Sequence, residues 1–135
     1  MIKTDKPPEV TIPVSTVSEA NVSGCVRRGK AKRARLQRGL AGFSMLANLG
    51  NADDLFRPED RIAVTMTRVG GSPMDDDNLA AALKAVRDGI ADWLRRDDGC
   101  AGGVEWRYKQ LPDRRKPNAA LRIPNRAVRV TVEVL

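Results

Sequence analysis

Three adjacent aspartates, Asp75, Asp76 and Asp77, stand between a Gly70-Gly71-Ser72-Pro73 segment and a long stretch of apolar periodicity. Two carboxylates about 5 Å apart at an effective dielectric near 20 repel by roughly 3 kcal/mol, so something has to offset the cluster. A helix N-terminus offsets part of it, through free N–H groups and the dipole, typically about 0.3–1 kcal/mol for each acid. Capping explains one acid more readily than three. A hard divalent cation, Mg²⁺ above all, explains the group better, because it takes oxygen ligands and keeps several waters when bound to protein. An extended chain through Met74 to Asp77 would aim Asp75 and Asp77 to one side and Asp76 to the other. Further along stand Lys84 and Asp88, at i and i+4, and then the pair Asp97-Asp98. Lys84 with Asp88 also suits an ordinary surface ion pair on a helix.

What the chain lacks narrows the chemistry further. It has no histidine and only two cysteines, Cys25 and Cys100, far apart. Mechanisms that use His as base or ligand are excluded, as are a C-x-x-C zinc knuckle and a dithiol redox pair. Catalysis, if any, falls to carboxylates, lysine, arginine and a metal ion. No apolar run approaches the roughly 18 residues of a membrane span, and no basic-then-apolar leader opens the chain. The expectation is a cytoplasmic protein with reduced thiols and no membrane partner.

The charges are segregated. The 135 residues carry 24 Lys plus Arg against 17 Asp plus Glu, a formal net charge of +7. Seven bases and no acid lie between Arg27 and Arg38, and eight bases face one acid, Asp113, between Arg107 and Arg129. Eleven of the acids fall in the centre, from Asp53 to Asp98. Lys and Arg neutralise phosphates and release counterions, whereas carboxylates need a cation between themselves and a phosphate backbone. The flanks therefore suit nucleic acid and the centre suits a metal.

The elements that must position these groups read as follows. Residues 1–9 form a loose arm, and Val10–Val14 a short strand that Pro13 confines to a sheet edge. Leu36, Leu40, Phe43 and Ala47 give a helix over Ala31–Asn48 that carries the basic block at its start. Arg61–Arg68 alternates as a strand before the Gly-Pro break. Leu79, Leu83, Val86, Ile90 and Leu94 mark one helix over Leu79–Leu94, with Asp77 or Asn78 as N-cap. That helix is about 24 Å long, so acids at its two ends do not meet if it is straight. Val104–Gln110 and Ala127–Val134 read as strands, the latter internal or a dimer edge, with a basic loop over Pro112–Asn125 between them. Trp93, Trp106 and Tyr108 read as core rather than as a base-stacking platform. The whole is one α+β domain over residues 1–135, a small mixed sheet packed with helices.

Asp75-Asp76-Asp77-Asn78-Leu79, then Lys84-Ala85-Val86-Arg87-Asp88-Gly89-Ile90, then Asp97-Asp98, resembles the RusA-like Holliday junction resolvases of bacteria, phages and prophages. The resemblance covers Asp75–Tyr108, about a quarter of the chain, and implies a RusA-like fold. It also implies a homodimeric, Mg²⁺-dependent endodeoxyribonuclease that cuts four-way DNA junctions with paired nicks. Carried over by motif, Asp75, Asp77 and Asp98 would hold the metal, with Asp97 as the alternative to Asp98, and Lys84 would be the essential helix lysine. The resemblance implies that Asp98 reaches the metal, by a route across the dimer interface if needed. One departure is plain: the family's commoner lysine position, four residues after the second Asp, is Ala81 here. Arg28, Lys32, Arg33, Arg35, Arg114, Arg115 and Lys116 are the candidates for DNA backbone contacts, chosen by charge density. The competing readings are a basic protein that binds branched or duplex DNA without cleaving it, and a structural protein whose acidic centre takes Ca²⁺ or a basic partner.

Overall fold

The computed structural model describes residues 7–16, 29–96, 102–112 and 126–135. The four apolar alternations become strands β1 (Glu9–Ile12), β2 (Ile62–Val69), β3 (Val104–Leu111) and β4 (Ala127–Val134) of one sheet, ordered β1-β4-β2-β3. Strands β2 and β3 are parallel, while β4 runs antiparallel to both β2 and β1. Glu9, which falls in the arm by sequence, opens β1, and Pro13 stands just beyond its end at the sheet edge. Strand β4 is internal and so is not a free dimer edge.

Period-two alternation divides the sheet into two faces. Ile62, Val64 and Met66 of β2 align with Val128, Val130 and Val132 of β4 and with Val10 and Ile12 of β1, and all are at most 1% exposed. Each such side chain contributes about 1.5–3 kcal/mol through burial. Trp106 and Tyr108 are half-buried on the same face, so β3 extends the apolar floor.

Three helices cover that face. Helix α1 (Lys30–Leu49) buries Ala41, Ser44 and Met45, and a 3-10 turn at Ala52–Asp54 follows it. The single helix expected over Leu79–Leu94 is instead two, α2 (Asp76–Ala82) and α3 (Lys84–Leu94), separated at Leu83 with φ −94° and ψ 0°. Leu79, Leu83, Val86 and Ile90 are all at most 3% exposed, so both segments deliver their apolar stripe to the core. The start moves to Asp76 because the polar first turn, which carries no apolar period, is helical too.

Helices α1 and α3 touch closely at Gly89, where a Cβ would lie 2.3 Å from the Arg38 carbonyl oxygen and 2.9 Å from the Ala41 Cβ. Lys30 and Ala34 neighbour Ala81–Ala85, Arg38 bonds Asp92, and Trp93 Nε1 donates to the Gly50 carbonyl, so the two helices run in the same sense. Trp93 thus serves the core, as its edge-to-face contact with Phe56 also indicates. No helix among the described residues is long and apolar enough to cross a membrane.

Candidate functional site

The acidic cluster is set by the end of β2 and the loop that follows. Gly70 and Gly71 take φ +88° and +76°, a left-handed conformation that costs glycine little and other residues more. Gly71 has a second reason to be glycine, since a Cβ there would lie 2.6 Å from an Arg68 guanidinium nitrogen. Arg68 is only 6% exposed, in phase with the core residues of β2. Its Nε donates to Thr16 Oγ1 at 3.2 Å, and its two Nη atoms donate to the carbonyls of Ser72 at 3.0 Å and Thr16 at 3.3 Å. Burial, and then the nearby Arg126, lower its pKa from the ordinary value. This guanidinium ties the exit of β1 to the loop before the aspartates.

A second clamp fixes the residue next to them. The Met74 N–H donates to Gln110 Oε1 at 2.9 Å, and Gln110 Nε2 donates back to the Met74 carbonyl at 2.7 Å. Asp75 then takes the N-cap position of α2, with φ −64° and ψ 157°, and its carbonyl accepts the Leu79 N–H at 2.8 Å. Its carboxylate makes no capping hydrogen bond. Asp76 and Asp77 lie in the first helical turn, and all three side chains are exposed. Among the described residues none of the three forms an ion pair. A capping hydrogen bond therefore does not account for Asp75, while Asp76 and Asp77 stand where a helix N-terminus favours acids.

The helical start corrects the extended-chain expectation. Asp75 keeps an extended backbone while Asp76 and Asp77 are helical, so period-two alternation no longer relates the side chains of Asp75 and Asp77. Lys84 begins α3, on the other side of the break at Leu83 from Asp76 and Asp77. Lys84 is exposed, and with Asp88 it lines a groove of ≈ 230 Å³ against Lys30, Ala34 and Gln37 of α1. The surface ion pair that suits Lys84 and Asp88 by spacing does not form among the described residues.

Asp97 and Asp98 lie outside the described residues, but their flanks are fixed. Arg96 donates to the Arg57 carbonyl at 2.7 Å and the Asp60 carbonyl at 2.6 Å, and Gly103 O accepts the Ile62 N–H at 3.0 Å. These anchors are at the start of β2 and β3, whereas Met74 is held to Gln110 near the end of β3. Eight strand residues, about 26 Å, separate Gly102 from Gln110. Two residues of chain and a carboxylate side chain reach about 10 Å from Arg96. Among the described residues no group of three metal-ligating side chains assembles. Asp75, Asp76 and Asp77 still fit a hard cation by donor type, as exposed carboxylates with no ion-pair partner among the described residues.

Of the bases expected to meet DNA, Lys32 and Arg35 are exposed and Arg33 is half-buried on α1, while Arg28, Arg114, Arg115 and Lys116 lie outside the described residues. The chain leaves β3 at Pro112 and re-enters β4 at Arg126, both beside Val69. It likewise leaves β1 past Thr16, bonded to Arg68, and returns at Lys30, beside Lys84. Both basic segments are thus rooted at the end of the sheet that carries Asp75–Asp77. On the uncovered sheet face, Arg107 is occupied by Glu105 and Glu133, at 2.6 and 3.2 Å.

Arg68 and Gln110 are the residues that sequence reasoning missed. Their signal was phase, since each is a polar residue in register with the core side of its strand. Tyr108 is committed to the helix layer, where its hydroxyl accepts a hydrogen bond from Arg87 Nη1 at 3.0 Å. Compared with known proteins, the chain matches no family model, no curated protein and no solved structure.

Proposed function

We propose that this chain is a Mg²⁺-dependent, structure-specific endodeoxyribonuclease of the RusA-like type that resolves four-way DNA junctions. The observation that carries the reading is a co-location: three exposed carboxylates with no ion pair among the described residues stand at the sheet end where both basic segments are rooted. Carboxylates placed among bases that draw in phosphate would repel the backbone, and a bound cation removes that conflict. In this reading Asp75 and Asp77 hold Mg²⁺, which supplies a bound water of lowered pKa and neutralises charge developing on the scissile phosphate. Lys84 stabilises the leaving oxygen electrostatically. Lys32, Arg33 and Arg35, with Arg28, Arg114, Arg115 and Lys116, contact the DNA backbone.

Asp98 supplies the third carboxylate, with Asp97 as the alternative. Because its flanks are anchored about 26 Å from the Gln110 clamp, it acts on the partner subunit's site in a homodimer. A dimer also matches the task of cutting two strands symmetrically.

The second reading is a non-cleaving basic protein that binds branched or duplex DNA, which the same exposed bases Lys32 and Arg35 would serve without a metal. Incubation with a labelled four-way junction in Mg²⁺ and in EDTA separates the two. Paired symmetric nicks only in Mg²⁺ support the nuclease, and tight binding without nicks under any divalent cation supports the binding module. A structural protein predicts no steep fall of DNA affinity with salt, whereas several phosphate contacts give a slope near −0.9 for each in log–log form.

A further inference from the structure

Arg68 is a charge that the fold buries without neutralising. It stands on the core side of β2 at 6% exposure, and every acceptor it meets is neutral: Thr16 Oγ1, the Thr16 carbonyl and the Ser72 carbonyl. Of the five N–H groups of a guanidinium, these bonds use three and leave two, one on each Nη, without an acceptor among the described residues. No carboxylate among the described residues pairs with it either, although the aspartate run begins at Asp75, shortly beyond Ser72. Buried charges are ordinarily paired, because taking an ion out of water costs more than neutral acceptors return.

A second base enlarges the imbalance. In the register of β2 and β4, Arg68 faces Val128, so Arg126, which immediately precedes β4, stands diagonally across from it on the same side of the sheet. Diagonal neighbours about 7–8 Å apart are within reach of long side chains. Arg126 is exposed, and its repulsion adds to burial in lowering the pKa of Arg68. An anion from solution held by the exposed arginine relieves both residues at once.

We infer that Arg126, with the buried Arg68 beneath it, binds a phosphate group of a nucleic acid strand at the end of the sheet that carries Asp75. Phosphate is the fitting anion because a guanidinium offers its oxygens paired, charge-assisted N–H donors. Arg126 makes the contact, and Arg68 strengthens it through surroundings that screen charge less than water does. Both basic segments are rooted at this end of the sheet, which makes a strand of phosphates the partner rather than a lone anion. That choice of source rests on the DNA-binding reading, whereas the anion site itself does not.

Thermal melting of the full chain without divalent metal, followed by tryptophan fluorescence, tests it. Chloride is exchanged stepwise for inorganic phosphate at constant ionic strength, and in a separate series a short DNA duplex is added. In chloride, Arg126→Gln should melt at or above the wild type, because the buried charge loses a neighbour of its own sign. In phosphate the order should reverse. The wild type should rise by about 5 °C when phosphate reaches about ten times its dissociation constant. Arg126→Gln should show only the small, non-saturating rise that phosphate gives proteins through exclusion from their surface. Arg61→Gln, which removes an exposed base just before β2 at the other end of the sheet, should respond as the wild type does. Equal rises in the wild type and Arg126→Gln overturn the inference, as does an Arg126→Gln protein that melts below the wild type in chloride. A reversal with both phosphate and DNA supports it in full. A reversal with phosphate alone overturns nucleic acid as the source and leaves the anion site standing. Since no metal is present, failure here is separate from failure to cleave.

Discussion

Replacing Gln110 with leucine removes the clamp on the residue before Asp75 while keeping a similar stem on β3. Two hydrogen bonds are lost, from the Met74 N–H at 2.9 Å and to the Met74 carbonyl at 2.7 Å. Net contributions of about 0.5–1.5 kcal/mol each bound the cost at about 1–3 kcal/mol. Gln110 and Met74 are half-buried, so water re-satisfies part of the exposed peptide and the lower half of that range applies, about 1–2 kcal/mol. Urea denaturation monitored by circular dichroism measures this directly. Gln110→Glu adds a check of sign. It retains the bond from the Met74 N–H but sets a carboxylate oxygen against the Met74 carbonyl, which favours the protonated acid. The variant's deficit should therefore shrink as pH falls toward about 4. Either variant should also weaken Mg²⁺-dependent cleavage, because Asp75 follows the clamped peptide. A Gln110→Leu protein with stability within about 0.3 kcal/mol of wild type and unchanged cleavage would refute the clamp as a positioning device.

Other substitutions probe separate parts of the account. Gly89→Ala, whose Cβ would meet the Arg38 carbonyl oxygen at 2.3 Å, should destabilise by about 1–3 kcal/mol in urea, well beyond Gly42→Ala, where the nearest contact is 3.3 Å. Asp75→Asn should leave stability within about 0.5 kcal/mol, since the carboxylate caps nothing, yet abolish Mg²⁺-dependent cleavage. The hydrogen bond from Arg38 holds the Asp92 carboxyl below its ordinary pKa. Its contribution is therefore present above the unfolded value of about 3.9 and lost as pH falls through the lower folded value. Both partners are about half exposed, so Asp92→Asn should cost well under 1 kcal/mol near neutrality, with a smaller effect in high salt.

Much of the fold was legible because burial writes itself into local periodicity. Val128, Val130 and Val132 alternate with Arg129 and Thr131, and the strand they define has the expected limits. Pro13 marked an edge correctly, since a residue without an N–H ends a ladder. The break at Leu83 left no such trace, because Leu79, Leu83 and Val86 keep one period on both sides of it. The first turn of α2 was also hidden, as Asp76 and Asp77 carry no apolar signal. For that reason the aspartates read as an extended run when they are a helix start. What no local pattern encodes is where the chain ends are pinned. The guanidinium of Arg96 on the Arg57 and Asp60 carbonyls fixes the approach to Asp97 at the far end of the sheet, and only tertiary contacts contain that fact.

Cleavage of a labelled four-way junction by wild type and by Asp77→Asn, each with Mg²⁺ and with EDTA and each with its junction affinity measured, tests the central claim most directly. The account predicts symmetric paired nicks by wild type in Mg²⁺ alone, no nicks by Asp77→Asn, and junction binding retained by the variant. Equal cleavage by the two proteins, or cleavage in EDTA, would contradict it.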